Sequence, residues 1–272
     1  MPQWTAAFGK QSKRMKNTKL SVIIPVLNEG INLKFILKIF ETALEVSHEM
    51  LVVYDQSGDN SIPVAKEMQR ANRKIRLVHN KIGKGVINAI KSGVKSASGD
   101  YVLIVAADDI GPVLTVEDMV YLMDNGCDFV SATRYAYGGR CLGGVFISRL
   151  LSRTANKIFH IISRSAFTDS TLGIKMFRRA VFDKLKLEAK PIGWAVAFEM
   201  SIKAQLAGLR LGEVPIISIN RFYGGKSSFK LGPWVKEYSK WFFWGFKELH
   251  KRGKKDNVQV RIPGKISLNR QK

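Results

Sequence analysis

Several carboxylates in this chain stand directly after apolar runs, where a sheet would present them to a ligand. Residues 101–107 are apolar and lead into Asp108-Asp109, residues 20–26 lead into Asn28-Glu29, and residues 50–53 into Asp55. An ionised carboxylate only accepts hydrogen bonds, so such a set suits a ligand rich in hydroxyl and N–H donors. Familiar phosphate signatures do not fit. Gly83-Lys84-Gly85 lacks the upstream glycine and the Ser/Thr of a Walker A loop, and the third glycine of a dinucleotide fingerprint. The turn after the first apolar run reads Pro-Val-Leu-Asn-Glu, with no glycine cluster, and no Cys/His group has zinc spacing. Kinase, dehydrogenase and zinc-enzyme chemistries are all disfavoured.

The elements that must hold these residues alternate. Apolar, β-branched runs at 20–26, 50–53, 75–78 and 101–106 are separated by helical patterns at 31–44, 64–72 and 84–96. That order predicts a mostly parallel sheet with helices on both faces. In such sheets ligands sit at the carboxyl ends of the strands, which is where Asn28-Glu29, Asp55 and Asp108-Asp109 fall. Further on, a strand at 129–132 runs into Arg134 and a glycine-rich loop. Helices follow at 147–162 and 194–207, with a strand at 211–217 between the second helix and a lysine- and aromatic-rich region.

Charge narrows the partners. Lys and Arg number 44 against 22 Asp and Glu, giving a net charge of +22. The expected partner is anionic: a phosphorylated ligand, an acidic membrane surface or a nucleic acid. Nucleic acid is not expected, because the charge stands alone without any of the usual binding motifs. With a hydrophobic fraction of 46% the chain can build a core, and Cys127 and Cys141 read as reduced thiols of a cytoplasmic protein. No uncharged apolar run reaches a membrane-spanning length, and no leader is apparent.

Motifs in order carry a family likeness. Residues 21–29 (SVIIPVLNE), 52–55 (VVYD), 80–85 (NKIGKG) and 99–108 (GDYVLIVAAD) resemble the nucleotide-sugar half of inverting GT-A glycosyltransferases of family 2. Residues 130–135 (VSATRY), 169–175 (DSTLGIK), 193–199 and 221–230 (RFYGGKSSFK) are similar to later motifs of the dolichol-phosphate mannose synthase-like branch. The likeness implies a GT-A fold, that is, a mostly parallel Rossmann-like sheet with helices on both faces. It also implies a nucleotide-diphosphate sugar (a GDP- or UDP-sugar) as donor and a polyprenyl phosphate as acceptor.

By that resemblance Pro25, Val26, Asn28, Glu29 and Asp55, with Gly83 and Lys84, surround the donor. Asp108 is expected at a Mg²⁺ or Mn²⁺ on the donor diphosphate, as metal ligand and catalytic residue. With Pro112 as anchor, the family's two metal-motif aspartates fall at Ala106 and Asp108; the first is absent, and Asp109 becomes a second metal candidate. Arg134, Arg221, Lys226 and Ser227 match phosphate-binding positions, with Arg221 also expected to be catalytic and Arg149 and Arg153 as further acceptor-side candidates. An ionised phosphate acceptor needs no base, only cations to orient it. A glycan or protein hydroxyl acceptor would need a base, for which Asp169 or Glu199 would serve; both are expected on the acceptor side. The substitution at Ala106 also suggests a non-catalytic relative as an alternative.

Segment 233–250, with the Lys251 that follows it, places Lys236, Lys240, Lys247 and Lys251 in one helical stripe around Phe243, beside an aromatic face of Trp234, Tyr238, Trp241 and Phe242. That pattern predicts an amphipathic helix docking peripherally on an anionic membrane at its cytoplasmic face. The expected organisation is a basic N-terminal segment (1–18), a GT-A domain (19–231), the amphipathic helix (232–252) and a basic tail (253–272).

Overall fold

The computed structural model describes residues 20–143, 146–219, 231–253 and 256–262. Largely apolar runs make strands that can be buried on both faces, and three of them lie side by side in the sheet: β1 (Leu20–Val26), β2 (His48–Tyr54) and β4 (Tyr101–Ile104). With β3 (Ile75–His79), β5 (Phe129–Thr133), β7 (Lys175–Arg178), β8 (Leu211–Pro215) and β10 (Val258–Val260) they form one sheet. Its order is β10-β8-β5-β7-β4-β1-β2-β3. All neighbouring pairs are parallel except those of β7, which runs antiparallel between β4 and β5. A second, two-stranded parallel sheet joins β6 (Arg140–Leu142) to β9 (Ile217–Ile219).

Side chains alternate across the pleat, so each central strand feeds two cores. Val22 and Ile24 enter one apolar cluster and Ile23 the other; Val52 and Leu51 divide in the same way. The first core is covered by α1 (Gly30–Ala43) and α4 (Val116–Asp124). The second lies beneath α3 (Val86–Ser96), α6 (Ala195–Leu206) and α7 (Leu231–Arg252). α2 (Ser61–Ala71) and α5 (Phe146–Ile162) complete the helices. This is the GT-A arrangement expected from the motifs.

Several local features differ from the sequence reading, which contained neither α4 nor β6. β7 has no place in it either, because Lys175 and Arg178 bracket only two apolar residues; Lys175 is fully buried with its ammonium on the Ser131 hydroxyl. The run at 211–217 divides, β8 ending at Pro215 and β9 leaving to pair with β6. Part of the expected tail, Val258–Val260, is an edge strand on β8.

Candidate active site

The carboxyl ends of β1, β2 and β3 are tied to one another by side chains. Asn28, in the left-handed region at φ +58°, turns the chain into α1, and the loop after β2 caps that helix start. Asn28 N–H donates to Asp59 Oδ1 (3.1 Å), Glu29 N–H to Ser61 Oγ (2.9 Å) and Gly30 N–H to Asn60 Oδ1 (3.0 Å). Glu29, half-buried, accepts from Asn32 Nδ2 at 2.8 Å. Pro25 and Val26 lie in the last turn of β1 beside Val53 and Tyr54.

Asp55 reaches the next loop: its oxygens accept from Asn80 Nδ2 and from the Gly85 N–H, each at 2.7 Å. Asn80 also donates to the Gly83 carbonyl and accepts from Ile82 N–H and the Ser92 hydroxyl. Gly85 has φ +98°, and a Cβ there would lie 2.6 Å from Pro191 Cβ, so only glycine fits. Lys84 is exposed at the tip of this loop. Asp55 therefore shapes the loop that carries Gly83 and Lys84, a role the sequence did not indicate. Asn80, buried at its centre, opens one of the family-like motifs but was not singled out as a site residue.

Asp108 and Asp109 part ways. Asp108 is half-buried beyond the end of β4. Asp109 is turned inward and almost fully buried: Oδ1 accepts from the N–H groups of Gly111 and Ile219, both at 3.0 Å, and Oδ2 from the Ser218 hydroxyl at 2.6 Å. Three protein donors hold that carboxylate turned inward, against the expectation that Asp109 joins Asp108 as a metal ligand. Among the described residues no group of three or more His, Cys, Asp or Glu could hold a metal ion by itself. The donor set fits a divalent cation that arrives on a diphosphate, because Mg²⁺ commonly uses one or two carboxylates together with phosphate oxygens and waters.

A buried charged cluster lies behind β5. Arg134 holds Asp169 bidentately, Nε to Oδ2 at 2.7 Å and Nη2 to Oδ1 at 3.0 Å, with the Asp169 side chain wholly buried. Burial alone would weaken the guanidinium's proton affinity, but the Asp169 carboxylate more than reverses this and Arg134 stays charged. Beside them, burial pushes the Lys175 ammonium down to about 7, against the pull of Asp169 and Glu213. Burial likewise pushes Glu213 up to about 7, opposed by hydrogen bonds from Thr168. Neither Lys175 nor Glu213 stood out as a site residue in the sequence, since a charge inside a strand gives no pattern signal.

The remaining expected residues are scattered. Glu199 is fully buried and accepts from the N–H groups of Glu188 (2.6 Å) and Ala189 (2.8 Å) and from Lys203 Nζ (2.7 Å), so it fixes a loop; this corrects its expected place on the acceptor side. Arg149 donates to the Cys141 carbonyl at 3.2 Å, and Arg153 is exposed on α5. Arg221, Lys226 and Ser227 lie outside the described residues. Gly193, at φ +51°, packs directly under the Trp234 ring, where a Cβ would collide, so α7 closes over the loop before α6.

Glycosyl transferase family 2 matches residues 21–186, more than half of the chain, and the protein belongs to that family. A dolichol-phosphate mannosyltransferase of Pyrococcus furiosus is 28% identical over 231 residues, 82% of this chain and 64% of the relative, so the chain spans under two thirds of that protein. A polyprenol monophosphomannose synthase of Mycolicibacterium smegmatis is 28% identical over 75% of this chain and 78% of its own. Among solved structures, glucosyl-3-phosphoglycerate synthase from Mycobacterium tuberculosis, in complex with Mg²⁺ and uridine diphosphate, aligns with a TM-score of 0.65. It is 17% identical and covers 91% of this chain and 85% of its own, a likeness of fold.

Proposed function

We infer that the protein is an inverting glycosyltransferase that moves a sugar from a nucleotide-diphosphate sugar to a polyprenyl phosphate at the cytoplasmic face of a membrane. The observation that carries this reading is the ordered match to the two polyprenyl-phosphate mannosyl enzymes over most of the chain. The loop built on Asp55, Asn80 and Gly85 cradles the donor's nucleotide, and Asp108 is the residue that would hold a Mg²⁺ or Mn²⁺ ion. Such an ion would supply positive charge to offset the negative charge building on the leaving group. The transition state has oxocarbenium character, and displacement by the acceptor oxygen inverts the anomeric carbon. Arg134, and in the sequence Arg221, orient the acceptor phosphate.

A hydroxyl acceptor is a poorer fit. It needs a base, yet Asp169 is clamped by Arg134 and Glu199 is filled by two backbone N–H groups and Lys203. A phosphate acceptor arrives already ionised and asks for none. The test is incubation with a panel of GDP- and UDP-sugars, a short polyprenyl phosphate and Mg²⁺ or Mn²⁺. Lipid-linked sugar is the expected product. Transfer only to soluble glycans, or no consumption of any nucleotide sugar, overturns the reading.

A further inference from the structure

Two short stretches of chain meet rung by rung at Arg134. Thr133 precedes Arg134 at the end of β5, and Thr168 precedes Asp169 in the loop before β7. The two threonine hydroxyls bond each other at 2.7 Å, and on the next rung the guanidinium holds the carboxylate. Glu213 of β8 ends this ladder: its oxygens accept from the Thr168 N–H and from the Thr168 hydroxyl, both at 2.9 Å. An ionised carboxylate cannot donate and a hydroxyl carries a single proton, which fixes the direction of the bonds. Thr168 spends its proton on Glu213, so Thr133 donates to Thr168, and the Thr133 oxygen in turn accepts from the Tyr135 N–H at 3.2 Å. The chain from Tyr135 through both threonines thus runs one way and stops at the Glu213 carboxylate.

Lys175 secures the other side of Asp169. Residues paired across adjacent strands share a face of the sheet, and Glu213, Ser131 and Lys175 are paired in this way across β8, β5 and β7. The Lys175 ammonium bonds the Ser131 hydroxyl at 2.7 Å and reaches the Ser170 carbonyl at 3.5 Å, which the Ser201 hydroxyl also bonds at 2.8 Å. Asp169 is therefore gripped through the residue before it by Glu213 and through the residue after it by Lys175. Both charges are wholly buried. Apolar residues of similar volume commonly serve stability as well as buried charges do, so stability alone does not account for this pair. What the pair does set is the aim of Arg134, whose partner carboxylate and flanking backbone both hang on it. We propose that Glu213, acting through Thr168 and Thr133, is a positioning residue for the Arg134 guanidinium, and that Lys175 completes the grip on Asp169. A guanidinium meets a phosphate as a planar fork, so a tilt of its plane forfeits the second bond. The proposal deepens the reading of Arg134 as the group that orients the acceptor phosphate and rests on that reading for its effect on transfer.

The test uses the full chain above the pH of about 7 near which Glu213 takes up a proton. Thr168→Val deletes the hydroxyl link, Thr168→Ser keeps it, and Glu213→Gln sets an amide donor against the groups of Thr168. The first readout is hydrogen exchange at the Arg134 Nε–H in protein with isotope-labelled arginine, the signal being identified by its absence in Arg134→Lys. Exchange is expected to quicken at least about tenfold in Thr168→Val and in Glu213→Gln, and to stay near the parental rate in Thr168→Ser. Thr133→Val cuts the same chain from β5 and is measured alongside, so a folding defect in one variant leaves another to decide. The second readout is transfer to geranyl phosphate. Its KM is expected to rise about tenfold in Thr168→Val and Glu213→Gln, with the KM for the nucleotide sugar unchanged and both values restored in Thr168→Ser. Parental exchange in Thr168→Val and Glu213→Gln overturns the proposal, as does a quickening that Thr168→Ser shares. So does an acceptor KM that stays parental, or a parallel rise in both KM values, which a general loosening of the fold would give. If exchange responds as expected but the parent consumes no nucleotide sugar, the positioning of Arg134 stands and the enzymatic reading falls.

Discussion

Asp108 is half-buried and Asp109 almost fully buried, and their substitutions test different things. Asp108→Ala removes the carboxylate assigned to the cation. Sugar transfer with Mg²⁺ is expected to fall by about a hundredfold or more, as for loss of a group that stabilises developing charge. Near-parental turnover would remove Asp108 from the site. Asp109→Ala strips three hydrogen bonds from a buried carboxylate and leaves the Gly111 and Ile219 N–H groups and the Ser218 hydroxyl searching for acceptors. A loss of about 3 kcal/mol in urea unfolding is expected. A stable Asp109→Ala protein would mean that water replaces the clasp.

At the scale of elements, Glu49 joins strands that are distant in sequence. Its carboxylate accepts from the Ser21 hydroxyl of β1, from the N–H and hydroxyl of Ser98 before β4, and from Arg76 of β3. Burial pushes its pKa up, but these bonds outweigh that and hold it at about 2, against 4.5 for an unperturbed side chain. A depressed carboxylate contributes stability that is complete above about 4.5 and is lost as pH falls from there through about 2, here roughly 3 kcal/mol. Glu49→Gln is expected to be less stable near neutrality and to lose less on acidification across that window. Acid-titration slopes identical to the parent would contradict it.

The central strands were legible in the sequence because continuous burial on both faces leaves a continuous apolar run, as in β1. The strand-end carboxylates were legible for the same reason, as interruptions of those runs. β7 was hidden because Lys175 gains its partners from β5 and the loop at Ser170, contacts that exist only after folding. The aromatic face of α7 raises a similar point. Periodicity identifies an apolar stripe but not whether a core takes it, and here Trp241 and Leu249 are taken.

For the whole molecule, a charge of +22 makes attraction to anionic surfaces general, and the exposed stripe of Lys236, Lys240 and Lys247 adds to it locally. Binding to anionic vesicles should weaken as salt rises, because such attraction acts within about 8 Å at physiological ionic strength. Lys236→Glu/Lys240→Glu/Lys247→Glu is expected to flatten that salt dependence while leaving a residual, salt-tolerant part. An unchanged salt profile would show that the charge responsible lies elsewhere. No helix among the described residues is long and apolar enough to cross a membrane.

The clasp at Asp109 has a consequence for how two unlike substrates meet. On the proposed reading one would arrive from water and the other from a lipid layer, and neither could guide the other. Asp109 follows the residue assigned to the donor's cation, and its oxygens grip Ser218 and Ile219, two residues short of Arg221 in the chain. One buried side chain thus fixes the spacing between β9 and the chain that leaves β4. It works like the pivot of a pair of tongs, touching neither load and setting the gap between the tips.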